Sequence, residues 1–127
     1  MRKLLFTALV CYTASSALAQ DYSNAAEQAN RLNALVKAYP QTASLKSLTK
    51  TNGGKDIWLL TIGTGKTENK PAIAVIGGVE GNHLLGTELA IGFAEQLLKA
   101  SNADSVKNLL SRTTYYVFPN MSPDAME

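Results

Sequence analysis

A carboxylate and an imidazole three residues apart are the side chains of this sequence best suited to chemistry. Glu80 and His83 follow an apolar run that ends in Gly77 and Gly78, and His83 is the single histidine among the 127 residues. A zinc ion accepts both a carboxylate oxygen and an imidazole nitrogen as ligands. The pair therefore predicts part of a metal site, with Glu80 and His83 as metal ligands.

A catalytic zinc needs more than this pair. Such sites usually have three protein ligands and one open position, so the third ligand is expected from residues beyond 127 or from a partner chain. Two structural explanations stay open: Glu80 as a first-turn carboxylate favoured by the helix dipole, and His83 as a hydrogen-bonded residue at a helix start. Glu88 falls on a different helical face from His83, which predicts a solvated surface residue.

Other loop chemistries lack their motifs. Gly65-Lys66-Thr67 is present, but residue 60 is leucine where the phosphate-binding loop Gly-x-x-x-x-Gly-Lys-Ser/Thr has its first glycine, so the full motif is absent. The glycine spacing after residue 76 does not match the dinucleotide-binding fingerprint, and no Gly-x-Ser-x-Gly elbow exists for a serine hydrolase. The residues therefore do not indicate a phosphate-binding loop, a dinucleotide-binding fold or a serine hydrolase.

The elements around the pair follow the order helix, hairpin, strand, helix, strand, with a further short helix before the last strand. Apolar periodicity, turn residues and prolines predict helices over 22–39, 83–100 and 104–112 and strands over 45–50, 55–62, 72–76 and 113–118. This order predicts an α/β fold with a mixed sheet flanked by helices. The continuous apolar run 72–76 is typical of a central strand. Glu80 and His83 follow its carboxyl end, where α/β folds bind ligands.

Side-chain patterns also predict which residues are buried. Trp58 is interpreted as a core residue, and both faces of its strand carry apolar side chains. In the helix over 83–100, Glu95 and Lys99 are spaced for an ion pair on the wet face, and Gly92 is interpreted as a close contact with the sheet. The predicted buried stripe of that helix consists of Leu85, Leu89, Phe93 and Leu97.

The N-terminus has the pattern of a secretory signal peptide. Arg2 and Lys3 precede an apolar core, and a small-x-small site predicts cleavage after Ala19. The apolar stretch is too short to span a bilayer, and the residues before Cys11 do not favour a lipoprotein site. The mature product is therefore expected to be secreted or periplasmic, with no membrane association after cleavage of residues 1–19.

Composition excludes one class of partner. Loss of residues 1–19 lowers the 12 basic residues to 10, equal to the 10 acidic ones, so no basic patch for nucleic acid is supported and no nucleic-acid partner is expected. The single cysteine also lies in the leader, so stability must come from the core or a metal. Residues 20–127 are expected to be the front portion of a longer protein, since a strand directly precedes the last residues.

Four successive segments resemble the N-terminal part of the zinc carboxypeptidase family, the carboxypeptidase A-like metallopeptidases. The leading helix matches, and residues 48–63 resemble the family's S-x-x-G-R-x-I-x-x-L-x-I-G hairpin. Residues 70–98 resemble its central strand, metal loop and helix, and residues 115–124 resemble its strand ending in Asn-Pro-Asp-Gly. The family's first metal motif is His-x-x-Glu, so Glu80 and His83 carry the same two ligand types in exchanged order. Ala125 stands where the family has glycine.

The resemblance implies a fold and an activity. It implies the front part of a phosphorylase/hydrolase-like fold, one Zn²⁺ ion, and hydrolysis of C-terminal peptide or amide bonds in peptide-like substrates. It also places the general base beyond residue 127. The alternatives are a non-catalytic peptidase-like binding module, motivated by the exchanged ligands, and a small structural exported domain complete at residue 127. Substrate side-chain preference and oligomeric state do not follow from the residues.

Overall fold

The described residues form helices and strands in the order that the sequence predicts. A computed structural model describes residues 22–126, so the signal peptide predicted over residues 1–19 lies outside the described part. The helices are α1 (Ala25–Ala38), α2 (Leu84–Lys99) and α3 (Asp104–Arg112), and the strands are β1 (Ala43–Lys50), β2 (Asp56–Ile62), β3 (Ala72–Ile76) and β4 (Thr114–Phe118). None of the helices between residues 22 and 126 is both long and apolar enough to cross a bilayer.

The four strands form one mixed sheet in the order β1-β2-β4-β3. β1 and β4 each pair antiparallel with β2, whereas β3 pairs parallel with β4. The mixed sheet predicted from the sequence is therefore confirmed. The prediction of a central strand over 72–76 is wrong for the described residues, because β3 lies at the sheet edge. Ile73 is 48% exposed and Ile76 is 56% exposed there.

The hydrophobic core lies between the helices and one face of the sheet. Register places Leu60 opposite Val117 and Ile62 opposite Tyr115, so their side chains share a face. Leu32, Ile91, Leu98 and Leu110 from the helices pack in the same cluster. Trp58 is half-buried against this cluster, which confirms its predicted core position. Leu59 and Leu60 are both buried, so β2 is covered on both faces at this point.

α2 packs on the sheet through a different face from the predicted one. Leu85, Leu89 and Phe93 are exposed and Leu97 is only half-buried, so the predicted stripe is wrong. The buried residues are Thr87, Ala90, Ile91, Ala94 and Leu98. Their alanines are small enough to let the helix approach the sheet closely, which favours this face. An added Cβ at Gly92 would meet no atom within 4 Å, so Gly92 is not explained by close packing.

α1 begins with a capping box that moves its start from the predicted residue 22 to Ala25. The Asn24 side chain accepts from the Glu27 backbone N–H at 3.0 Å, and Glu27 accepts from the Asn24 N–H at 2.9 Å. These two bonds satisfy backbone donors that the first helical turn leaves unpaired. The helix therefore has a fixed N-terminus close to the residues that contact α2.

Candidate metal centre

The candidate site lies where β3 ends and α2 begins. Gly77 and Gly78 make the turn, and Gly78 has a φ of +56°, a conformation that glycine adopts without steric cost. An added Cβ at Gly78 would lie 2.5 Å from Thr87 Oγ1 and 2.6 Å from Asn120 Oδ1. The chain can therefore follow this path only because residue 78 has no side chain. The turn directs residues 79–83 out past the carboxyl end of β3.

The two predicted ligands come together at this position. The Glu80 carboxylate Oε2 lies 2.6 Å from His83 Nδ1. The backbone supports this convergence, since the His83 N–H donates to the Glu80 carbonyl oxygen at 2.9 Å. Both side chains are open to solvent, with 73% of the Glu80 side chain and 71% of the His83 side chain exposed. They thus meet at an accessible point rather than inside the core.

This donor set fits part of a zinc site. A carboxylate and an imidazole are both zinc ligands, and both side chains are exposed, but in this structure they contact each other directly at 2.6 Å. Within residues 22–126, no three His, Cys, Asp or Glu side chains gather into a metal-binding group. Glu80 and His83 are therefore the candidate ligands among the described residues, and a zinc site that used them would need a third ligand from elsewhere.

The loop that carries Glu80 rests on the segment after β4. Met121 and Ser122 donate backbone N–H groups to the Gly78 carbonyl oxygen at 3.2 Å and 3.0 Å. The Ser122 hydroxyl donates to the Val79 carbonyl oxygen at 2.8 Å. These bonds hold the backbone directly before Glu80. The segment over 120–122 therefore fixes the path of residues 79–83, which we call the ligand loop.

The segment after β4 is tied in turn to the hairpin between β1 and β2. Asp124 accepts from the Thr51 hydroxyl at 2.6 Å and from the Gly53 N–H at 3.1 Å. The Thr51 hydrogen bond is the main cause that lowers the pKa of Asp124, and the Gly53 N–H and Lys55 act in the same direction. The carboxylate therefore stays ionised to lower pH than usual and keeps both contacts.

Glu88 is not the solvated surface residue that its spacing predicts. Its side chain is only 17% exposed and pairs with Arg31 of α1 at 2.6 Å. Arg31 also pairs with Glu95 at 2.9 Å. The partner of Glu95 therefore lies on α1, whereas the sequence predicted Lys99 of the same helix. Ser23 adds a backbone N–H to Glu88 at 2.9 Å. These contacts fasten the first turns of α2, which follow His83, to α1.

Burial and hydrogen bonding act in opposite directions on the Glu88 carboxyl group. Burial alone would raise its pKa, but hydrogen bonds from Ser23 and Arg31 outweigh that effect, so the pKa of Glu88 is lowered. For Arg31, burial would lower the pKa, but the hydrogen bonds and charges of Glu88 and Glu95 raise it. Both partners therefore remain charged across the neutral range.

A shallow apolar depression adjoins the candidate ligands. It has a volume of about 450 Å³ and is lined by Tyr22, Asn82, His83, Leu84 and Leu85. A narrower cleft of about 240 Å³ between α1 and the β1–β2 hairpin is lined by other residues, including Trp58. Of the two, only the depression beside His83 offers surface next to the candidate metal ligands.

Sequence reasoning missed the residues that support the site. The sequence places Asp124 in a family motif but gives it no partner, and nothing in the sequence distinguishes the Thr51 and Ser122 hydroxyls from other surface hydroxyls. The spacing of Asn24 and Glu27 is a recognisable capping-box pattern, so that feature could have been found. The contact between Asp124 and Thr51 spans 73 residues, and no local pattern in the sequence reports such a pair.

Comparison with known proteins decides the family. A sequence profile described as zinc carboxypeptidase matches residues 29–127. The chain belongs to the zinc carboxypeptidase family. Carboxypeptidase E of Caenorhabditis elegans is 28% identical over 111 residues, which are 84% of this chain and 24% of that protein. Carboxypeptidase D of Homo sapiens is 32% identical over 100 residues, 76% of this chain and 7% of that protein. This zinc carboxypeptidase chain thus spans a quarter or less of the length of these curated relatives.

Solved structures agree with the family and the fold. The metallo-carboxypeptidase from Burkholderia cenocepacia superposes with a TM-score of 0.68 at 27% identity, over 79% of this chain and 27% of that one. Thrombin-activatable fibrinolysis inhibitor superposes with a TM-score of 0.74 at 16% identity, over 89% of this chain and 28% of that one. The second likeness shows the fold alone. The predicted family resemblance and fold class are both confirmed.

Proposed function

We propose that this chain is the N-terminal portion of an exported, zinc-dependent metallocarboxypeptidase-like hydrolase that cleaves C-terminal peptide or amide bonds. The observation that carries the proposal is the convergence of Glu80 and His83, 2.6 Å apart at the carboxyl end of β3, in a zinc carboxypeptidase chain. The proposal includes a signal peptide over residues 1–19 and a catalytic-domain portion over residues 20–127.

In this proposal the chain's own residues bind and orient. Glu80 and His83 hold the ion from one side, and the turn at Gly77 and Gly78 directs both toward the same point. The apolar depression beside His83 offers contact area to a peptide-like substrate. When bound, Zn²⁺ would polarise the scissile carbonyl and lower the pKa of water. The third ligand and the general base are assigned to residues beyond 127.

A non-catalytic binding module is the alternative that a specific observation favours. The ligand order is exchanged relative to the family motif, and Glu80 and His83 already satisfy each other through their 2.6 Å contact. Metal binding must break that hydrogen bond, which costs part of the binding free energy. A site relaxed in this way would keep the fold and its peptide-binding surface without the ion.

Metal content and metal affinity of the full-length protein test the proposal. We expect about one zinc ion per molecule by plasma emission spectrometry. Glu80→Gln and His83→Gln are each expected to weaken zinc binding on the order of tenfold or more in chelator competition, since each removes one direct ligand. Glu68→Gln is the matched control, because Glu68 is an exposed carboxylate in the turn before β3.

Activity separates the two functions. The hydrolase releases the C-terminal residue of a peptide that ends in a free carboxylate, and release should stop in Glu80→Gln and His83→Gln but continue in Glu68→Gln. A full-length protein that refuses added zinc and still binds the same peptide would establish the binding module instead. A protein with neither property would overturn both proposals.

A further inference from the structure

We propose that Asp124 is a positioning residue for Glu80, so that the hairpin turn between β1 and β2 is a structural part of the candidate metal centre. The inference rests on the proposed function for its effect on zinc, whereas its geometry stands on the contacts of the chain itself. Asp124 touches neither Glu80 nor His83 in any hydrogen bond described above. It acts through the turn over 122–125, which contacts the backbone of residues 79 and 81 on either side of Glu80.

The first step joins Asp124 to the hairpin turn. Each carboxylate oxygen accepts a different donor: Oδ1 accepts from the Thr51 hydroxyl at 2.6 Å, and Oδ2 accepts from the Gly53 N–H at 3.1 Å. Lys55 closes the same junction by donating from Nζ to the Pro123 carbonyl oxygen at 3.2 Å. Because both oxygens are used, the carboxylate fixes the turn over 122–125 in position and in orientation.

The second step joins that turn to the ligand loop on both sides of Glu80. Before Glu80, the Ser122 hydroxyl donates to the Val79 carbonyl oxygen at 2.8 Å. After Glu80, the backbone of Gly81 lies flush on the turn, since an added Cβ would overlap the Ala125 Cβ and lie 2.6 Å from the Ser122 carbonyl oxygen. Both neighbours of Glu80 in the chain are therefore seated on the turn that Asp124 holds.

The hairpin turn and Asp124 are tightly packed. At the hairpin side, an added Cβ on Gly53 would lie 2.5 Å from Asp124 Oδ1, so the turn and the carboxylate are in direct contact. Glu80 itself is 73% exposed, so packing of its own side chain does not hold it. Its side chain contacts His83 at 2.6 Å, and its backbone is placed by residues 79 and 81, which rest on the turn that Asp124 holds.

Substitution of Asp124 in the full-length protein tests the inference. Asp124→Ala removes both acceptors, whereas Asp124→Asn keeps one carbonyl oxygen and loses the other. We expect zinc affinity to fall on the order of tenfold in Asp124→Ala and by less in Asp124→Asn. With Co²⁺ as the probe, the visible absorption bands should shift in Asp124→Ala, since they report the geometry of the ligands. Asp104→Asn is the control, because that exposed carboxylate lies 4.0 Å from its nearest cation, Lys107.

A second variant and a metal-free measurement keep this test separate from that of the proposed function. Gly53→Ala should displace the Asp124 carboxylate, because an added Cβ would lie 2.5 Å from its Oδ1, and should weaken zinc binding although residue 124 itself is not substituted. In the metal-free protein, Asp124→Ala should speed hydrogen exchange of the Met121 and Ser122 amides, which bond the Gly78 carbonyl. Unchanged exchange and an unchanged Co²⁺ spectrum in Asp124→Ala would overturn the inference. A wild-type protein that binds no metal would overturn the proposed function, and the exchange rates alone would then decide whether Asp124 orders the loop.

Discussion

At the scale of single residues, the chain keeps its charges through specific partners rather than through exposure. Glu88 is the clearest case, because its carboxylate is largely buried and yet its pKa is lowered. Hydrogen bonds from Ser23 and Arg31 stabilise the ionised form by more than burial disfavours it. A carboxylate in this state links folding to pH, since the unfolded chain lacks those donors.

The pH dependence of stability should therefore change when Glu88 is neutralised. The ordinary pKa of this group is 4.5, and its pKa in the folded chain is lower. Its contribution to the free energy of unfolding is complete above the ordinary pKa and is lost as the pH falls through the folded value. Glu88→Gln should lower stability at neutral pH and flatten the loss of stability below pH 4.5.

Urea unfolding of the full-length protein between acid and neutral pH measures this effect. Asp104→Asn removes one exposed carboxylate and controls for the change in net charge. Asp56 and Asp124 also have lowered pKa values, so the informative quantity is the difference between the wild type and Glu88→Gln. Parallel curves for these two proteins would contradict the expectation.

At the scale of elements, α1 and α2 are joined by one cation between two carboxylates. Arg31 bonds Glu88 at 2.6 Å and Glu95 at 2.9 Å, positions one and three turns into α2. Partly buried, charge-assisted bonds of this kind are stronger than exposed ion pairs. They fix the orientation of α2, and hence the direction from which His83 enters the site.

Removal of this cation should cost more than removal of an exposed one. Arg31→Met keeps much of the apolar stem and deletes the guanidinium, and we expect it to lower the free energy of unfolding by about 1–3 kcal/mol. Arg112→Met, at the exposed end of α3, should cost less than about 0.5 kcal/mol. A double-mutant cycle between Arg31→Met and Glu88→Gln should give a coupling above about 0.5 kcal/mol. Strict additivity would show that the contact contributes nothing.

The elements also show how far sequence patterns reach. Helix and strand order were predictable because turns and prolines mark their ends, and the site position was predictable because it follows a strand end. The buried face of α2 was not predictable, since apolar residues with helical spacing occur on two of its faces. Periodicity cannot choose between Leu89 and Ile91, whereas packing favours the face with small alanines. The partner of Glu88 lies 57 residues away, beyond any local pattern.

At the scale of the whole molecule, more than half of the large apolar residues that are exposed in the described part of the chain belong to β3 and α2. Ile73 and Ile76 on the edge strand and Leu85, Leu89 and Phe93 on the helix are all exposed among the described residues. An apolar face of this extent usually marks a contact surface. The chain spans 24% of the carboxypeptidase E relative, so we expect the rest of a longer protein to cover this face.

Charge placed on this face should therefore destabilise the full-length protein. Leu89 is 64% exposed within the described residues and Leu48 is 45% exposed on the opposite edge strand. If the longer protein covers α2, Leu89→Lys buries an unpaired charge and should cost at least about 2 kcal/mol. Leu48→Lys is the matched control and should be nearly neutral. Equal and small effects in thermal unfolding would show that the α2 face stays open to solvent.

The edge position of β3 has a consequence for how the protein is made. Among the strands of residues 22–126, β3 is hydrogen-bonded to β4 alone, so its outer backbone groups face away from the sheet. The loop that carries Glu80 and His83 directly follows this same strand. During synthesis from the N-terminus, the emerging chain would present an apolar ribbon with open hydrogen-bonding groups to every neighbouring copy, which is a template for intermolecular pairing.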